Sequence, residues 1–368
     1  MVDHQRDARD DAVIYDDVVR IPASPAEDAM RIGGQASDGN ASASIGDVAR
    51  LADVAPITVS RALRNPEQVS AEKRERIFQA VRQTGYRVNP FARALKSGRS
   101  NVVLAFASNM FSEQFALALH ACAEVLEAAG YLFLVGQTSY SYERETTAIR
   151  SLQALKPAAV MFTGVIELEA NREILRGLDI PIMETWALPR DPIDMLVGFS
   201  NTEAGKLAAS SLAKQGHKKV AYIGRKGGRG ALRLKGFREG CYEAGLDLVG
   251  ELLVDDVVGP SDGRRCLSEL LERETGAQAL FCGNDLLALG CIMEARRRRI
   301  SVPEDLAVIG FGDSDIAAEI PPGLTTIGVD SAALGRSAGE MLLARLSGRE
   351  IGERIRRLPL ALILRGSL

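Results

Sequence analysis

The segment SIGDVARLADVAPITVSRAL, residues 44–63, contains two runs of helical apolar spacing separated by a short break. Ser44 and Asp47 stand where the first run begins and predict an N-terminal helix cap. Residues 53–55 interrupt the pattern. Pro56 then suits the first turn of a second helix, because its missing N–H needs no partner there.

The second run places Val59, Ala62 and Leu63 on an inward face. The residues left on the outside or on its flank are Pro56, Ile57, Ser60 and Arg61. Two short helices joined by a three-residue turn make a helix-turn-helix. A third helix is expected from a cap at Ser70 to Gly85, with Ile77, Phe78 and Val81 on its apolar face.

The charge of the chain is unevenly distributed. The 368 residues have a net charge of −3, yet residues 44–100 contain eleven Lys or Arg against five Asp or Glu. Residues 1–43 contain four against nine and have no sustained apolar period, which predicts a disordered acidic tail. A basic segment on an acidic remainder favours a nucleic-acid reader, although a solvated basic surface accounts for the charge equally well.

Composition excludes several other classes. The five cysteines form no CxxC pair and the three histidines lie far apart, so the sequence predicts buried thiols, no zinc site and no cofactor. No apolar run approaches the length of a membrane span, and the N-terminus has no hydrophobic signal core. We therefore expect a cytoplasmic protein with no membrane partner, associated with the nucleoid if it binds DNA.

After Asn101, short apolar runs alternate with amphipathic stretches. The runs expected as strands are 102–107, 131–136, 158–164, 180–186, 195–199, 219–224, 279–285 and 306–311. The stretches with helical periodicity include 113–129, 143–155, 202–215, 232–244 and 285–298. This alternation predicts an α/β body with parallel sheets covered on both faces. The strands are too many for one doubly wound unit, so two side by side are expected, with ligand crevices at the carboxyl ends of the strands.

Several blocks of the sequence resemble one family in order and spacing. They are DVARLADVAPITVSRAL (47–63), GNDLLALG (283–290), VPEDLAVIGFGD (302–313) and PPGLTTIGVD (321–330). Together they resemble the LacI/GalR, or lactose/galactose-repressor, family of bacterial transcription regulators. RNPEQVS (64–70), VGFSN (197–201) and FCGND (281–285) are most similar to its gluconate-utilisation repressor subgroup.

The resemblance implies a lambda-repressor-like helix-turn-helix domain and a type I periplasmic-binding-protein-like body. The expected boundaries are a tail over 1–43, a DNA-binding domain over 44–88, a hinge helix and linker over 89–100, and an effector-binding and dimerisation domain over 101–368. Within that last domain, the N-subdomain takes about 101–199 and 331–355, and the C-subdomain about 200–328 and 358–368.

The resemblance also implies DNA-binding residues. Pro56, Ile57 and Arg61 fall at the base-reading positions, where Arg61 is suited to donate two hydrogen bonds to guanine. Thr58 and Ser60 fall where phosphates are bound, and the hinge residues are Asn89, Ala92 and Leu95, with Leu95 as the minor-groove wedge. The family's usual glycine in the turn is Asp53 here, a residue that tolerates the left-handed conformation better than most.

For the effector, the resemblance implies a set of residues at or just past strand ends. They are Phe115, Glu184, Trp186, Phe199, Arg233, Asn284 and Asp285. Asn284 and Asp285 suit a helix cap as well as a ligand contact. Gly312 stands where the family often has Asp, which removes a hydroxyl acceptor and is compatible with an acidic ligand.

Two further motifs have simpler interpretations. The run Arg296 to Arg299 ends a predicted helix, where cations suit the helix dipole, so we interpret it as a solvated helix end rather than a second DNA site. GRKGGRG (224–230) lacks the spacing of a phosphate-binding loop and predicts a mobile loop beside the crevice.

These features predict a non-enzymatic, ligand-responsive transcription factor, most simply a repressor. Its expected partners are a pseudo-palindromic double-stranded DNA operator, a sugar or sugar acid such as gluconate, and a second copy of the chain. LILRGSL (362–368) adds no heptad helix, so a dimer is expected rather than a tetramer. The alternatives are a transporter's sugar-binding protein, an activator, and an enzyme, for which no catalytic constellation stands out.

Overall fold

The computed structural model describes residues 43–86, 100–188 and 191–368. The chain separates into two compact units, a head that ends before Asn89 and a body that follows. Most of the predicted tail and of the hinge segment, including Asn89, Ala92 and Leu95, lies outside the described residues.

The head is a small three-helix unit. Its helices are α1 (Ile45–Leu51), α2 (Pro56–Arg64) and α3 (Ala71–Thr84), with a 3-10 turn at Pro66–Gln68. The predicted cap of α1 is confirmed, because the Ser44 hydroxyl accepts from the Asp47 amide while the Asp47 carboxylate accepts from the Ser44 amide. The core of the head contains Val48, Ala49, Ala52, Val59, Ala62, Val69, Ile77 and Ala80.

Backbone conformation in the turn between α1 and α2 and at the end of α3 follows the sequence. Asp53 in the turn has φ of 51°, the left-handed conformation that its position requires and that Asp tolerates. Gly85 ends α3 with φ of 65°. Ser70 begins α3 as predicted, but its side chain makes no capping hydrogen bond.

Two six-stranded sheets form the centre of the body. The first lobe contains β1 (Val102–Ala107), β2 (Leu132–Gln137), β3 (Ala159–Phe162), β4 (Ile182–Thr185), β5 (Met195–Gly198) and β11 (Ile355–Arg357). Their order is β11-β5-β4-β3-β1-β2, and all pairs are parallel. The helices of this lobe are α4 (Glu113–Ala128), α5 (Tyr142–Leu155), α6 (Glu169–Arg176) and α12 (Ser331–Leu346).

The second lobe repeats this plan. Its strands are β6 (Lys219–Arg225), β7 (Asp247–Val254), β8 (Ala279–Cys282), β9 (Ala307–Gly312), β10 (Thr325–Gly328) and β12 (Ala361–Ile363). Their order is β12-β10-β9-β8-β6-β7, and only β12 runs antiparallel to its neighbour. The helices are α7 (Asn201–Lys214), α8 (Arg229–Ala244), α9 (Pro260–Glu272), α10 (Asp285–Arg297) and α11 (Asp315–Glu319). The prediction of two parallel sheets side by side is confirmed.

The elements that the sequence did not indicate are mainly short or half-exposed. The missed strands are β7, β10, β11 and β12, and the missed helices are α6, α9, α11 and α12. All five cysteines are free and buried, as predicted. No helix in the described part of the chain is long and apolar enough to cross a membrane.

Helix pairs in the body pack backbone against backbone through glycines. A Cβ placed on Gly205 of α7 would lie 2.1 Å from the Arg233 carbonyl oxygen of α8. A Cβ on Gly236 of α8 would lie 1.9 Å from the Thr202 carbonyl oxygen. This close approach fixes α8, and with it Arg233, against the second lobe.

We expect Gly236→Ala to lower the free energy of unfolding by about 2 kcal/mol, because the added methyl group overlaps backbone that cannot move aside. Gly177→Ala is the matched control, since a Cβ there lies 3.4 Å from its nearest neighbour. Urea unfolding followed by circular dichroism measures both. Equal stability of the two variants would contradict this packing.

Two arginines at the end of α10 and one from α9 surround a buried carboxylate. Glu294 is 1% exposed, and Arg298, Arg297 and Arg264 lie 2.9, 3.2 and 3.6 Å from its oxygens. Hydrogen bonding from Arg298, followed by that from Ser268 and Arg297, lowers the pKa of Glu294 to about 2. The run therefore neutralises an internal charge, which is more than the solvated helix end predicted from the sequence.

Because the pKa of Glu294 is lower in the folded state than its ordinary 4.5, its ionised form stabilises the fold above that pH. That contribution is lost as the pH falls toward about 2. Glu294→Gln should therefore be less stable than the wild type at neutral pH, and the two should converge in acid. Urea unfolding across this range tests the trend. Glu272→Gln, an exposed change on α9, should show no such convergence.

Candidate functional site

The head presents one face of α2 to solvent. Ile57 is 60% exposed despite being a large apolar residue, and Pro56 and Arg61 are also exposed. Thr58 and Ser60 are half-buried beside them. Val59 and Ala62 on the opposite face are fully buried. The structure therefore leaves the five predicted DNA-contacting side chains of α2 away from its buried face.

A cleft in the body lies at the carboxyl ends of the strands of both sheets. It encloses about 180 Å³ of water-accessible space, far more than the roughly 15 Å³ that one water molecule needs. The first lobe contributes residues that follow β1, β2, β4 and β5, and the second lobe contributes residues that follow β6, β7 and β8 and the end of β9. The cleft therefore accommodates a small organic molecule in contact with both lobes.

Aromatic rings form a continuous wall of this cleft. Trp186 packs edge-to-face against Phe115 at 5.0 Å and against Phe199 at 5.8 Å, and Phe199 lies 5.7 Å from Phe311 of the second lobe. Trp186 is the only tryptophan of the chain and has φ of 70°, an uncommon conformation for a bulky residue. Its carbonyl accepts a hydrogen bond of 2.9 Å from Asn201, which helps to hold this conformation.

Three arginines of the second lobe line the cleft without a carboxylate partner. Arg225 is the last residue of β6, Arg229 is the first residue of α8, and Arg233 lies one turn further along α8. Their partners are neutral groups: Arg225 Nε donates to the Asp255 carbonyl, Arg229 donates to the Thr163 carbonyl at 2.7 Å, and Arg233 donates to the Asn201 side chain. In the described residues none of the three forms an ion pair.

Arg233 is the most enclosed of these arginines. Its guanidinium lies 4.3 Å from the centre of the Phe311 ring, and burial lowers its pKa to about 10, so it stays charged at neutral pH. Arg229 lies 5.0 Å from the Phe115 ring. Arg229 and Arg233 thus place positive charge beside the aromatic rings, which suits an anionic group of a ligand, while Glu113, Asp256 and Asp285 are carboxylates that line the same cleft.

Unsatisfied polar atoms mark the same cleft. Trp186 Nε1, Arg233 Nε and Ser314 Oγ are buried without a hydrogen-bond partner, and no other buried side-chain nitrogen or oxygen lacks one across the described ranges. All three residues line the cleft. A buried polar group without a partner costs about 1–3 kcal/mol. Their convergence on one cavity indicates a polar ligand that supplies the missing partners.

Asn284 and Asp285 lie at the cleft, but both also have structural roles. Asn284 caps α10, with its side-chain oxygen accepting from the Leu287 amide at 2.9 Å. The two oxygens of Asp285 accept from the Ser314 amide and the Thr326 hydroxyl. Burial raises the pKa of Asp285 while these hydrogen bonds oppose the rise. Their carbonyl and carboxylate oxygens are therefore largely engaged within the second lobe.

Glu184 is a correction to the predicted effector set, since it does not line the cleft. It is fully buried in β4, where its two oxygens accept from the backbone amides of Ile166 and Ile193 at 2.8 and 2.7 Å. Arg172 lies 3.6 Å away. The carboxylate ties loops of the first lobe together. The other six predicted residues do line the cleft.

Several residues that line the cleft were not predicted from the sequence. They are Gln114, Tyr140, Arg225, Arg229, Phe311 and Ser314. The glycine-rich segment 224–230, expected beside the crevice, supplies two of them. Its cations directly after a strand were the available signal for an anion-binding role.

Comparison with known proteins agrees with both parts of this architecture. Residues 44–89 match bacterial regulatory proteins of the lacI family, and residues 209–368 match the periplasmic binding protein-like domain. The chain is 36% identical to the HTH-type transcriptional regulator GntR of Pseudomonas aeruginosa, over 83% of this chain and 90% of that protein. The chain belongs to the LacI family.

Other relatives lead to the same assignment. The HTH-type transcriptional repressor CytR of Escherichia coli is 30% identical over 88% of this chain and 96% of its own length. A solved LacI-family regulator from Silicibacter pomeroyi superposes with a TM-score of 0.82 at 27% identity, covering 88% and 99% of the two chains. The predicted family and fold class are confirmed. The protein is a DNA-binding transcription regulator rather than an enzyme.

Proposed function

We propose that this LacI-family protein is a cytoplasmic repressor that binds a pseudo-palindromic operator as a homodimer. In this proposal a sugar acid of the gluconate class binds in the cleft between the lobes and changes the affinity for DNA. The observation that supports the effector class is the group of three arginines that border an aromatic wall without carboxylate partners.

The DNA-binding part of the proposal assigns roles to the exposed face of α2. Arg61 has the bidentate geometry that reads guanine, and the apolar Pro56 and Ile57 are suited to contact a thymine methyl group. Thr58 and Ser60 are suited to phosphate contacts, which fix register without reading sequence. By the family resemblance Asn89, Ala92 and Leu95 act in the minor groove.

An exposed edge strand supports the homodimer. β2 is the last strand of the first sheet, and Leu132, Leu134 and Val135 on it are 39%, 37% and 41% exposed. Leu117 on the adjacent α4 is also exposed. An unpaired strand edge with several apolar residues is a surface that a second copy would cover.

The effector class predicts a fluorescence response. Because Trp186 is the only tryptophan and lines the cleft, gluconate should change the tryptophan emission of the full chain saturably, and glucose should do so more weakly or not at all. Arg229→Gln should weaken gluconate binding about tenfold or more, the effect of losing a contact of about 1.4 kcal/mol. Lys235→Gln, the same charge loss on the exposed side of α8, is the control.

If only neutral sugars or purines change the Trp186 emission in this titration, the sugar-acid effector is ruled out. Adding gluconate to the complex of the protein with its operator, followed by fluorescence anisotropy, then measures whether the effector changes DNA affinity. An effector that binds in the cleft and leaves that affinity unchanged would contradict the proposed regulation.

Arg61→Ala should weaken operator binding by about 1–3 kcal/mol and relax the base preference at one position of each half-site. Selection from a random duplex pool, followed by anisotropy at fixed salt, measures both effects. Arg82→Ala is the control, because Arg82 is an exposed arginine of α3 paired with Glu75. If the two variants keep the same base preference, Arg61 does not read a base.

A further inference from the structure

Gln114, the second residue of α4, reaches from the first lobe to the end of β9 in the second. A Cβ placed on Gly312 would lie 1.4 Å from Gln114 Nε2 and 2.7 Å from its Cδ. The amide of Gln114 therefore occupies the space that any side chain at position 312 would need. Gly312 also has φ of 137°, a conformation that L-residues rarely adopt. Gly312, which lies beside the cleft and is not part of its lining, thus leaves room for the Gln114 amide.

This amide has unused hydrogen-bonding capacity. Gln114 is half-buried and lines the cleft, yet its side chain makes no hydrogen bond with the residues that the structure describes. A primary amide offers two donors and an acceptor, and it has no charge. The neighbouring Glu113 is already engaged, because its carboxylate accepts a hydrogen bond of 3.0 Å from the Asp315 amide.

Gln114 and the arginines approach the cleft from different lobes. Arg229 and Arg233 belong to α8 of the second lobe, whereas Gln114 belongs to α4 of the first. An elongated ligand with a carboxylate at one end and hydroxyl groups along its length matches this distribution of charged and neutral groups.

We infer that Gln114 determines effector specificity by hydrogen-bonding the hydroxyl groups of a polyhydroxy acid whose carboxylate the arginines hold. Gly312 leaves the neutral amide of Gln114 in the place that a side chain at position 312 would need. The inference rests on the proposed sugar-acid effector and adds the residue that reads the uncharged part of it.

Two substitutions of similar size separate hydrogen bonding from charge. Gln114→Met removes the hydrogen bonds and should weaken gluconate binding about two- to tenfold, the range of one neutral hydrogen bond. Gln114→Glu keeps the shape but adds a negative charge, and should weaken gluconate binding about tenfold more than Gln114→Met does. Trp186 fluorescence of the full-length protein measures both affinities.

Gln153→Glu is the matched control, since it adds the same charge at an exposed position of α5 and should leave the affinity unchanged. Thermal unfolding without ligand shows whether each variant is folded. If Gln114→Glu does not fold, Gln114→Met alone decides, because unchanged gluconate affinity in that variant overturns the inference.

The remaining outcomes are distinct. Wild-type binding of gluconate with no loss in either Gln114 variant refutes the role of Gln114 and leaves the effector class intact. Equal losses in Met and Glu variants, accompanied by lower unfolding temperatures, assign Gln114 a packing role only and also overturn the inference. No gluconate response in the wild type overturns the effector class and this inference together.

Discussion

Burial of the Arg233 guanidinium without a carboxylate partner is the constraint on which the cleft depends. Desolvation disfavours its charged form, whereas Tyr222, the Asn201 side chain and the face of Phe311 oppose that effect. A protein carboxylate beside Arg233 would pair with its guanidinium and leave no unpaired positive charge for a ligand to bind. Neutral partners leave part of this desolvation cost uncompensated, which is why the proposed effector is an anion.

The same arginine helix also connects the lobes. Arg229 donates to the Thr163 carbonyl of the first lobe, and in the other direction the Glu113 carboxylate accepts from the Asp315 amide of the second. Both hydrogen bonds cross the cleft and border the space for the ligand. A ligand changes the balance between two arrangements of the lobes only through a difference in its affinity for them, which needs contacts that one arrangement makes and the other does not. Residues that span the cleft are therefore the ones through which binding can be converted into a switch.

The helices of the head could be predicted because signals in adjacent residues mark their ends. Some strands of the body could not be predicted because they form only by pairing with distant parts of the chain. Ser44, Pro56 and Gly85 mark helix ends by rules that involve a few adjacent residues. In contrast, β11 has three exposed residues and exists because it pairs with β5, which lies about 160 residues earlier. β7 is a half-exposed edge strand and has no continuous apolar run.

Cleft residues that stand at strand ends could be predicted from the sequence. Cleft residues whose position depends on contacts between the two lobes could not. Phe115, Trp186 and Phe199 follow strands, so the parallel sheet rule places them together. Glu184 lies inside β4, before the end of the strand. Backbone amides of its own lobe donate hydrogen bonds to its carboxylate. Gln114 gave no signal, because its role depends on the absence of a side chain at Gly312 on a different sheet.

The exposed Arg61 of the head and the arginines of the cleft lie in different environments, and we propose different functions for them. Arg61 is exposed on the head, where salt would screen the attraction to DNA that we propose for it. The arginines of the cleft lie beside aromatic rings at the end of a sheet, where less water and fewer ions reach them. We therefore propose that operator binding varies with ionic strength far more than effector binding does. The proposed switch would then respond to its ligand across salt conditions that change its affinity for DNA, because the two sets of charges are solvated differently.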